Sequence, residues 1–283
     1  MHSLSIVVLA HNQLAYTQAC LNSLRETTGV RLEVVAVDNG STDGTGGWLA
    51  GRSAAFAERG HTLRILRNEA NIGCSTARNR GVDCATGDYC AFMDNDVVAV
   101  DPRWAVGLID AIERAGGRAL AGPKLVYPVP PHRIQCAGVA ISRTGRVQFR
   151  GRGRDRAEPE FSRPLRCQAL ISACMVFPRR LFAEIGGLDE AFNPIEYEDL
   201  DLCYRARAHG YQALYEPAVE VHHWESITSE GTEKLPNTYL IIKHGLLFKK
   251  RWRHMFETED GPPDDACRWE RLEVPSLHGR RTR

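Results

Sequence analysis

Four apolar runs alternate with amphipathic stretches in the N-terminal part of the chain, and this alternation constrains the fold more than any other feature. The apolar runs are Leu4–Ala10, Leu32–Asp38, Thr62–Asn68 and Tyr89–Met93. Runs that are apolar at almost every position are typical of strands covered on both faces of a parallel sheet. Because successive parallel strands are usually joined by a helix, the pattern predicts an α/β fold with helices on both faces.

The stretches between the runs carry apolar side chains at helical spacing. Helices are expected from Leu14, over Trp48–Arg59, over Ser75–Ala85, and after Asp101, with Asp101 as the N-cap and Pro102 as the first helical residue.

The second half of the chain is less regular, and prolines cluster between Pro123 and Pro131. Hairpin strands are expected within Ile134–Phe149 and a further strand over Cys167–Phe177. A short helix should end at Gly186-Gly187, and a longer one over "EYEDLDLCYRARAH" should stop at Gly210. We therefore expect a mixed half beside the parallel sheet.

Polar residues follow each of the four predicted strands where the strand ends. They are His11 and Asn12, then the turn Asp38–Asp43, then Asn68 and Asn71, and finally Asp94, Asn95 and Asp96. Ligands of open α/β sheets bind at the carboxyl ends of the strands. The sequence thus predicts a largely acidic binding edge.

The two aspartates after the fourth run point to a metal ion. In extended chain, residues two apart face the same side, roughly 7 Å apart, so Asp94 and Asp96 can face one ligand. Their mutual repulsion is relieved by a divalent cation, and magnesium combines one or two carboxylates with phosphate oxygens. Such a site suits a nucleoside diphosphate, whose negative charge must be neutralised when it leaves. The alternative is an acidic surface turn in which Asp96 or Asp101 caps the next helix.

Composition excludes several other classes. The 283 residues are 43% hydrophobic and 25% charged, as in ordinary globular proteins. A net charge of +1 gives no field that would attract a polyanion. The nine cysteines lack zinc-ligand spacing and are expected to be buried thiols in a reducing cytosol. No apolar window is long enough for a membrane span, and the N-terminus has the pattern of a strand and not of a signal peptide.

Positive charge is nevertheless concentrated in two places. Eight arginines lie between Arg143 and Arg166, and a second cluster, "KKRWRH", covers Lys249–His254. One hypothesis makes the arginine segment a mobile lid that meets a donor diphosphate or an anionic acceptor, and the alternative is a solvated surface loop. Nucleic-acid binding is not favoured, because Phe149 and Phe161 are the segment's two aromatic residues and stacking needs more.

Taken together, several motifs resemble family 2 glycosyltransferases. The matching pieces, in the order of that family, are "VVLAHN", "VVAVDNGSTDGT", "NIGCSTARNRG", "AFMDNDV", "GGLDEAFNP", "EYEDLDLCYRARAHGY" and "HHWESIT". They cover about Ser3 to Thr228, and a rhamnosyltransferase-like branch is one option. His11 stands where an aromatic residue is common, and Trp224-Glu225-Ser226 replaces a more glycine-rich stretch. These departures leave the donor base and the acceptor open.

The resemblance implies a glycosyltransferase-A fold with a Rossmann-like, mostly parallel central sheet and a mixed acceptor half. One catalytic domain is expected over residues 1–256, with a nucleotide half of about 1–100 and an acceptor half of about 101–256. Residues 257–283, rich in Pro, Arg and Asp, are expected to be a poorly ordered tail.

The resemblance also implies site residues. The expected nucleotide-sugar-binding residues are Ala10, Asn12, Asp38, Gly73, Arg78, Asp94 and Asn95. Asp38 would bind the nucleotide base, Gly73 would allow close approach of the backbone, and Arg78 would hold the aspartates or the diphosphate. For Arg78, a helix-surface cation is an equal alternative.

The metal, Mn²⁺ or Mg²⁺, is expected at Asp96 and His223. The family's histidine pattern fits residues 223–228 best, although His222 is a rival and a structural histidine is an alternative. The general base of an inverting transfer should be Asp199, with Glu198 and Asp201 as supporting residues. Asp201 has Arg205 at i+4 as a local ion-pair partner, whereas Asp199 has no local cation.

The expected function is a metal-dependent, inverting transfer of sugar from a UDP- or dTDP-linked donor to a glycan, lipid-linked or other acceptor, in the cytoplasm or at the inner face of the membrane. The alternative is a non-catalytic protein that binds nucleotide sugars, or nucleic acid through its arginine segment. A dehydrogenase is disfavoured because no G-x-G-x-x-G follows the first strand, and a nucleotidyltransferase because no glycine-rich phosphate loop does. A glycoside hydrolase would need no Asp38 turn.

Overall fold

The predicted parallel sheet is present in the computed structural model, which describes residues 2–225 and 237–268 together with Leu272, Pro275 and Leu277. Its strands lie in the order β3-β2-β1-β4, and all neighbours are parallel. Their bounds are β1 (Ser3–Ala10), β2 (Arg31–Asn39), β3 (Thr62–Asn68) and β4 (Tyr89–Asp94). The alternation of apolar runs and helices therefore predicted this half correctly.

Helices connect these strands, with one difference from expectation. They are α1 (Leu14–Arg25), α2 (Thr45–Ala50), α3 (Ser53–Ala57), α4 (Cys74–Asp83) and α5 (Trp104–Arg114). The single helix expected over Trp48–Arg59 is wrong, because the chain turns at Gly51 between α2 and α3. The amides of Gly51 and Arg52 donate to the carbonyls of the residues three positions earlier, which ends α2. Glycine is also a weak helix former.

The start of α5 also differs. Asp101 does not act as N-cap with Pro102 as the first helical residue, because the helix begins at Trp104. The Asp101 carboxylate accepts from the Arg103 amide at 2.7 Å, and its carbonyl accepts from the Trp104 amide at 3.1 Å. These bonds close a turn before the helix.

The second half extends the sheet with strands of both directions. They are β5 (Val97–Ala99), β6 (Ala119–Val126), β7 (Ile134–Cys136), β8 (Val139–Ile141), β9 (Val147–Phe149), β10 (Leu165–Cys167), β11 (Cys174–Pro178) and β12 (Gln212–His223). β11 pairs antiparallel with both β4 and β6, and β12 runs parallel to β6. β8 and β9 form a separate hairpin, while β7 joins β6. The expected mixed half is confirmed.

The prediction of one continuous strand over Cys167–Phe177 is wrong for the middle residues, 168–173. Residues 168–173 leave the sheet between β10 and β11 and contact the helix formed by Glu198–Ala208. There the Leu170 amide lies 3.4 Å from Cys203 Sγ, and the Ser172 amide lies 3.0 Å from Asp199 Oδ2. Apolar character persists through this loop because Ala169 and Leu170 are both buried, and Ala169 also forms an isolated antiparallel bridge with Val139.

The remaining helices pack on this half. They are α6 (Arg179–Ile185), α7 (Glu198–Ala208) and α8 (Asn237–Phe256), with short 3₁₀ turns at Pro159–Phe161 and Glu190–Phe192. α7 is followed by Gly210 at φ 79°, as the sequence predicts. No helix among the described residues is long and apolar enough to cross a membrane.

The first part of the expected tail contacts the body. Glu259 accepts from Gln168 Nε2 at 2.6 Å and also binds Arg207, and Asp264 accepts from Thr144 at 2.8 Å. Residues 257–268 thus differ from a loose tail. The domain boundary at residue 256 stays a prediction.

Candidate active site

The register of the parallel strands brings their polar ends to one edge. Ala10 pairs with Asp38, Leu9 pairs with Asp94, and Asn39 pairs with Asn68. Each polar end therefore lies beside the next, as the strand-end pattern indicated. An open cleft of about 480 Å³ lies along this edge, between the turn that follows β1 and the turn that follows β2.

One carboxylate oxygen of Asp38 lacks a hydrogen-bond donor among the described residues. Oδ1 accepts from the Ser41 amide at 2.9 Å, whereas buried Oδ2 has no hydrogen-bond partner among the described residues. Arg67 Nε lies 3.7 Å from Oδ2 and supplies positive charge. A buried acceptor without a donor is costly, so this oxygen is suited to a ligand N–H.

Asn12 supports the same edge from the turn after β1. Its Oδ1 accepts from the Thr42 amide and its own amide donates to Ser41 Oγ, both at 2.8 Å. These bonds tie the β1 turn to the β2 turn, so the Asn12 side chain shapes the cleft through Thr42. The backbone of Ala10 lies at the start of the same turn.

Three possible metal ligands converge where β4 and β12 end. Atoms of Asp94, Asp96 and His223 all lie within 4.8 Å of one another. His223 Nε2 is 3.2 Å from Asp96 Oδ1 and 4.0 Å from Asp94 Oδ2. The pairing of β5 with β12, which sets Val97 opposite His223, produces this approach. Two carboxylates and an imidazole form a donor set that Mn²⁺ and Mg²⁺ accept.

The electrostatics of this cluster fit a cation. Burial alone would lower the pKa of His223, but Asp96 and Asp94 raise it to about 9. The imidazole thus carries a proton that balances the carboxylates when nothing else does. A divalent cation would take over that role and release the proton.

The two neighbouring histidines have different surroundings. His222 points away from the carboxylates and stacks on His132, with ring centroids 4.8 Å apart. His223 Nδ1 lies 2.7 Å from Gln135 Oε1, which leaves Nε2 to face the aspartates. The structure therefore brings His223 and not His222 to the cluster. The pattern expected after it continues into Ser226–Thr228, which lie outside the described residues.

Asn95 is placed differently from expectation. Its Nδ2 donates to Thr17 Oγ1 at 2.9 Å, in α1, and its side chain is buried. The amide between the two aspartates thus ties their turn to α1 and does not face the cluster. Asn95 lies in the turn between β4 and β5, and its bond to Thr17 holds the side chain on the α1 side of that turn.

Arg78 is buried and bridges the two halves of the site. Its guanidinium contacts Asp94 Oδ1 at 2.5 Å, Glu198 Oε1 at 3.2 Å and Ser172 Oγ at 2.6 Å. The alternative of a helix-surface cation is wrong, because α4 turns this residue inward against Phe92. Arg78 therefore joins the aspartate cluster to the start of α7.

Asp199, in the first turn of α7, is held from the loop 168–173. The Ser172 amide donates to Oδ2 at 3.0 Å, and the Leu200 amide donates to Oδ1 at 2.8 Å. Asp199 keeps some exposure, yet desolvation and the nearby Glu198 carboxylate raise its pKa to about 7. The sequence left the direction of this shift open, and the tertiary packing decides it. A carboxylate that titrates near neutrality is suited to accept a proton.

Glu198 and Asp201 are committed to other partners. Glu198 accepts from Arg78 and from Cys74 Sγ, at 3.2 Å each, and burial raises its pKa. Asp201 is fully buried and accepts from three donors of its own helix and α8, namely Arg205, Arg251 and Trp252. Both residues position the helix that carries Asp199.

Gly73 permits a close approach within the protein. It has φ 88°, and a Cβ there would lie 2.4 Å from Asn193 Oδ1. Asn193 Oδ1 accepts from the Ser75 amide at 3.0 Å and so holds the first turn of α4. The expected approach of a nucleotide to Gly73 stays a prediction. Asn193, from "GGLDEAFNP", was missed because its partner lies far away in sequence.

The arginine segment is anchored by acidic groups and backbone carbonyls. Arg152 makes two bonds to Glu225, at 2.8 and 2.9 Å, and Arg156 pairs with Glu220 at 2.5 Å. Arg154 pairs with Glu158, and Arg150 donates to the Ala137 carbonyl at 3.1 Å. The expectation of a solvated loop is therefore wrong for Arg150 and Arg152, which are partly buried, whereas the side chains of Arg154 and Arg156 are 56% and 43% exposed. The lid hypothesis stays a prediction. The ion pair of Glu225 with Arg152 was not predicted, because no pattern near Glu225 in the sequence indicates it.

Comparisons with known proteins found a matching family model and several relatives. A family model described as Glycosyl transferase family 2 matches residues 5–186. The uncharacterized protein y4gI of Sinorhizobium fredii is 31% identical over 262 residues, which cover 88% of this chain and 27% of that protein. An N-acetylglucosaminyl-diphospho-decaprenol L-rhamnosyltransferase of Mycobacterium tuberculosis is 28% identical over 267 residues, which cover 85% of this chain and 81% of that protein. The chain thus spans about a quarter of the first relative and about four fifths of the second.

A solved structure has the same fold. The crystal structure of GalNAc-T7 with UDP, GalNAc and Mn²⁺ superposes with a TM-score of 0.63 at 18% identity, covering 79% of this chain and 44% of that chain. At this identity the likeness concerns the fold alone.

Proposed function

The chain belongs to glycosyl transferase family 2 and has the glycosyltransferase-A fold, and from this premise we propose that it transfers a hexosyl or deoxyhexosyl group from a nucleoside diphosphate to an acceptor hydroxyl, with inversion. The observation that carries the proposal is the convergence of Asp94, Asp96 and His223 at one strand edge. Arg78 joins that cluster to Glu198, the neighbour of the titratable Asp199. Donor binding and proton removal thus have separate, adjoining groups.

The donor lies along the carboxyl edge of the sheet. Asp38 Oδ2, which lacks a hydrogen-bond donor among the described residues, accepts from the nucleotide base. The cleft beside Asn12 and Thr42 takes the rest of the nucleoside. A UDP- or dTDP-linked sugar is the proposed donor, and the rhamnosyl transfer named for one relative favours a deoxyhexose.

Asp96, His223 and Asp94 would hold the divalent cation, and Asp94 is also paired with Arg78. The residues fit Mn²⁺ or Mg²⁺, because they offer two hard oxygens and one imidazole nitrogen. When bound, the cation neutralises the diphosphate that leaves. Arg78 holds the Asp94 carboxylate in place through their ion pair.

Asp199 accepts the proton of the acceptor hydroxyl. The acceptor oxygen forms a bond to the anomeric carbon, the bond from that carbon to the diphosphate oxygen breaks, and the proton moves to the Asp199 carboxylate. The Ser172 and Leu200 amides fix the orientation of that carboxylate. The elevated pKa of Asp199 makes it a stronger base than an ordinary aspartate.

The acceptor is a lipid-linked sugar diphosphate. One relative is named for transfer to N-acetylglucosaminyl-diphospho-decaprenol, and that name supports an acceptor of the same chemical class here. An acceptor of this kind carries its sugar at a membrane surface.

A thermal-shift panel of nucleotide sugars, with and without Mn²⁺, tests the proposal. A donor present at a hundred times its Kd should stabilise the folded state by about 2.7 kcal/mol and raise the Tm by several degrees. Asp96→Ala should abolish the Mn²⁺-dependent part of the shift. Asp110→Ala, on the exposed face of α5, is the matched control and should behave like the parent. If no UDP- or dTDP-sugar raises the Tm with metal present, the proposed donor is wrong.

A further inference from the structure

One face of α8 carries exposed apolar side chains that point away from the hydrophobic core. Tyr239, Ile242 and Leu246 are 53%, 58% and 64% exposed, and they recur at helical spacing on the side away from the protein. Seven large hydrophobic residues are exposed in the described part of the chain, and four of them, these three and Ile241, lie in the first half of α8. Concentrated apolar exposure of this kind marks an interaction surface.

Positive charge lies beside this stripe. Lys243 and Lys250 are exposed on the same side of the helix, and α8 contains no acidic residue at all. No carboxylate of the described residues forms an ion pair with Lys243 or Lys250, whereas Arg251 is paired with Asp189 and Asp201. The lysine ammonium groups are therefore available to an external anion.

The opposite face of α8 fastens the helix next to the candidate base. Phe248 and Phe256 are fully buried, and His244 Nδ1 donates to the Ile195 carbonyl at 2.8 Å. At Gly245 the helix backbone approaches the ring of Tyr197, since a Cβ there would lie 3.0 Å from the Tyr197 hydroxyl. The exposed stripe is thus rigidly tied to the segment that leads into Asp199.

We propose that this face of α8 lies on a membrane surface that contains anionic lipids. Tyr239, Ile242 and Leu246 enter the boundary between headgroups and acyl chains, and Lys243 and Lys250 meet lipid phosphates. Helices that combine an apolar stripe with lysines bind membranes in this way. Resting on the proposed function, docking would bring the chain to the surface from which a lipid-linked acceptor is presented.

A second copy of the chain is the competing occupant, and the charges oppose it. A symmetric contact places the same patch against itself. Two α8 faces would bring the lysines of one copy against those of the other, with no acidic residue on either helix to pair with them. Like charges at short distance repel, whereas an anionic lipid surface complements them.

Vesicle flotation with the full chain tests the proposal. The parent should bind phosphatidylcholine vesicles that contain phosphatidylglycerol and bind pure phosphatidylcholine vesicles at least tenfold more weakly. Ile242→Ser with Leu246→Ser should lower binding at least tenfold. Lys243→Gln with Lys250→Gln should lower it about fivefold per lysine at low salt, and less at high salt.

Matched controls lie elsewhere on the surface. Val100→Ser removes an apolar side chain of similar exposure, and Arg103→Gln removes an exposed cation; neither should change vesicle binding. Equal binding of the α8 variants and the parent would overturn the proposal. It would also be overturned if light scattering showed a dimer that Leu246→Ser dissociates. Binding is measured without donor or acceptor, so its failure would leave the proposed transfer untouched.

Discussion

The carboxylates of the "EYEDLD" stretch differ in role because their partners differ. Asp201 accepts from Arg205, Arg251 and Trp252 and is fully buried. Asp199, two residues earlier, accepts from the Ser172 and Leu200 amides and from the Ser172 hydroxyl, and none of these donors is a cation. A carboxylate saturated by cations is a poor base, whereas one that is desolvated next to another acid holds a proton more tightly. The chemistry of each residue is therefore set by tertiary contacts.

Replacement of the candidate base separates binding from transfer. Asp199→Asn keeps the shape of the side chain but cannot accept a proton, so the transfer rate should fall by about 100-fold or more. The Kd of the donor should stay within error of the parent. Asp110→Asn, on the exposed face of α5, should leave both quantities unchanged. Near-normal transfer by Asp199→Asn would move the base to another residue.

Glu198 should set the pH at which transfer begins. Desolvation and the Glu198 carboxylate raise the pKa of Asp199 to about 7, so kcat/KM should rise with pH through that value as the base loses its proton. Glu198→Gln removes the neighbouring charge, and the acidic limb of the profile should move to lower pH. A limb that stays in place would mean that Glu198 does not influence the titrating group.

Among the single elements, the short strand β7 orients His223, a candidate metal ligand. Its Gln135 is fully buried and presents Oε1 to His223 Nδ1 at 2.7 Å. A hydrogen bond to the distal ring nitrogen fixes the orientation of a ligating histidine. The sequence does not indicate such a partner, because nothing around Gln135 distinguishes it from a glutamine without a role at a binding site.

Gln135→Leu should weaken Mn²⁺ binding by roughly 10- to 100-fold, because the ring loses its orienting acceptor. Gln135→Glu keeps an acceptor oxygen and should restore most of the affinity, which a purely structural role would not require. Isothermal titration with Mn²⁺ and UDP measures both. Equal affinity of Gln135→Leu and the parent would remove Gln135 from the site.

The arginine segment contributes to stability through one enclosed pair. The side chains of Arg152 and Glu225 are 6% and 16% exposed and bond at two points. Arg152→Ala leaves the Glu225 charge partly buried without its partner, and the free energy of unfolding should fall by about 3 kcal/mol. Arg154→Ser, at an exposed pair, should change little in the same denaturant titration. Equal effects of the two variants would contradict the anchoring argument.

At the scale of the whole molecule, the site exists because one sheet joins two unlike halves. β4 of the parallel half pairs with β11 of the mixed half. Asp94 and Asp96 come from the first half, whereas His223 and Asp199 come from the second. Arg78 spans the junction between them. Any movement of one half relative to the other would therefore displace the candidate metal ligands and the candidate base together.

Sequence patterns were enough to predict the parallel half, the strand ends that carry Asp38 and Asp94, and the glycine that follows α7. These features repeat or end locally, so periodicity and turn residues report them. Long-range contacts were needed to establish that His223 and not His222 meets the aspartates, that Arg78 points inward, and that residues 168–173 leave the sheet to hold Asp199. The physical reason is that each of these depends on strand register and on packing between residues far apart in sequence, which leave no local periodicity to detect.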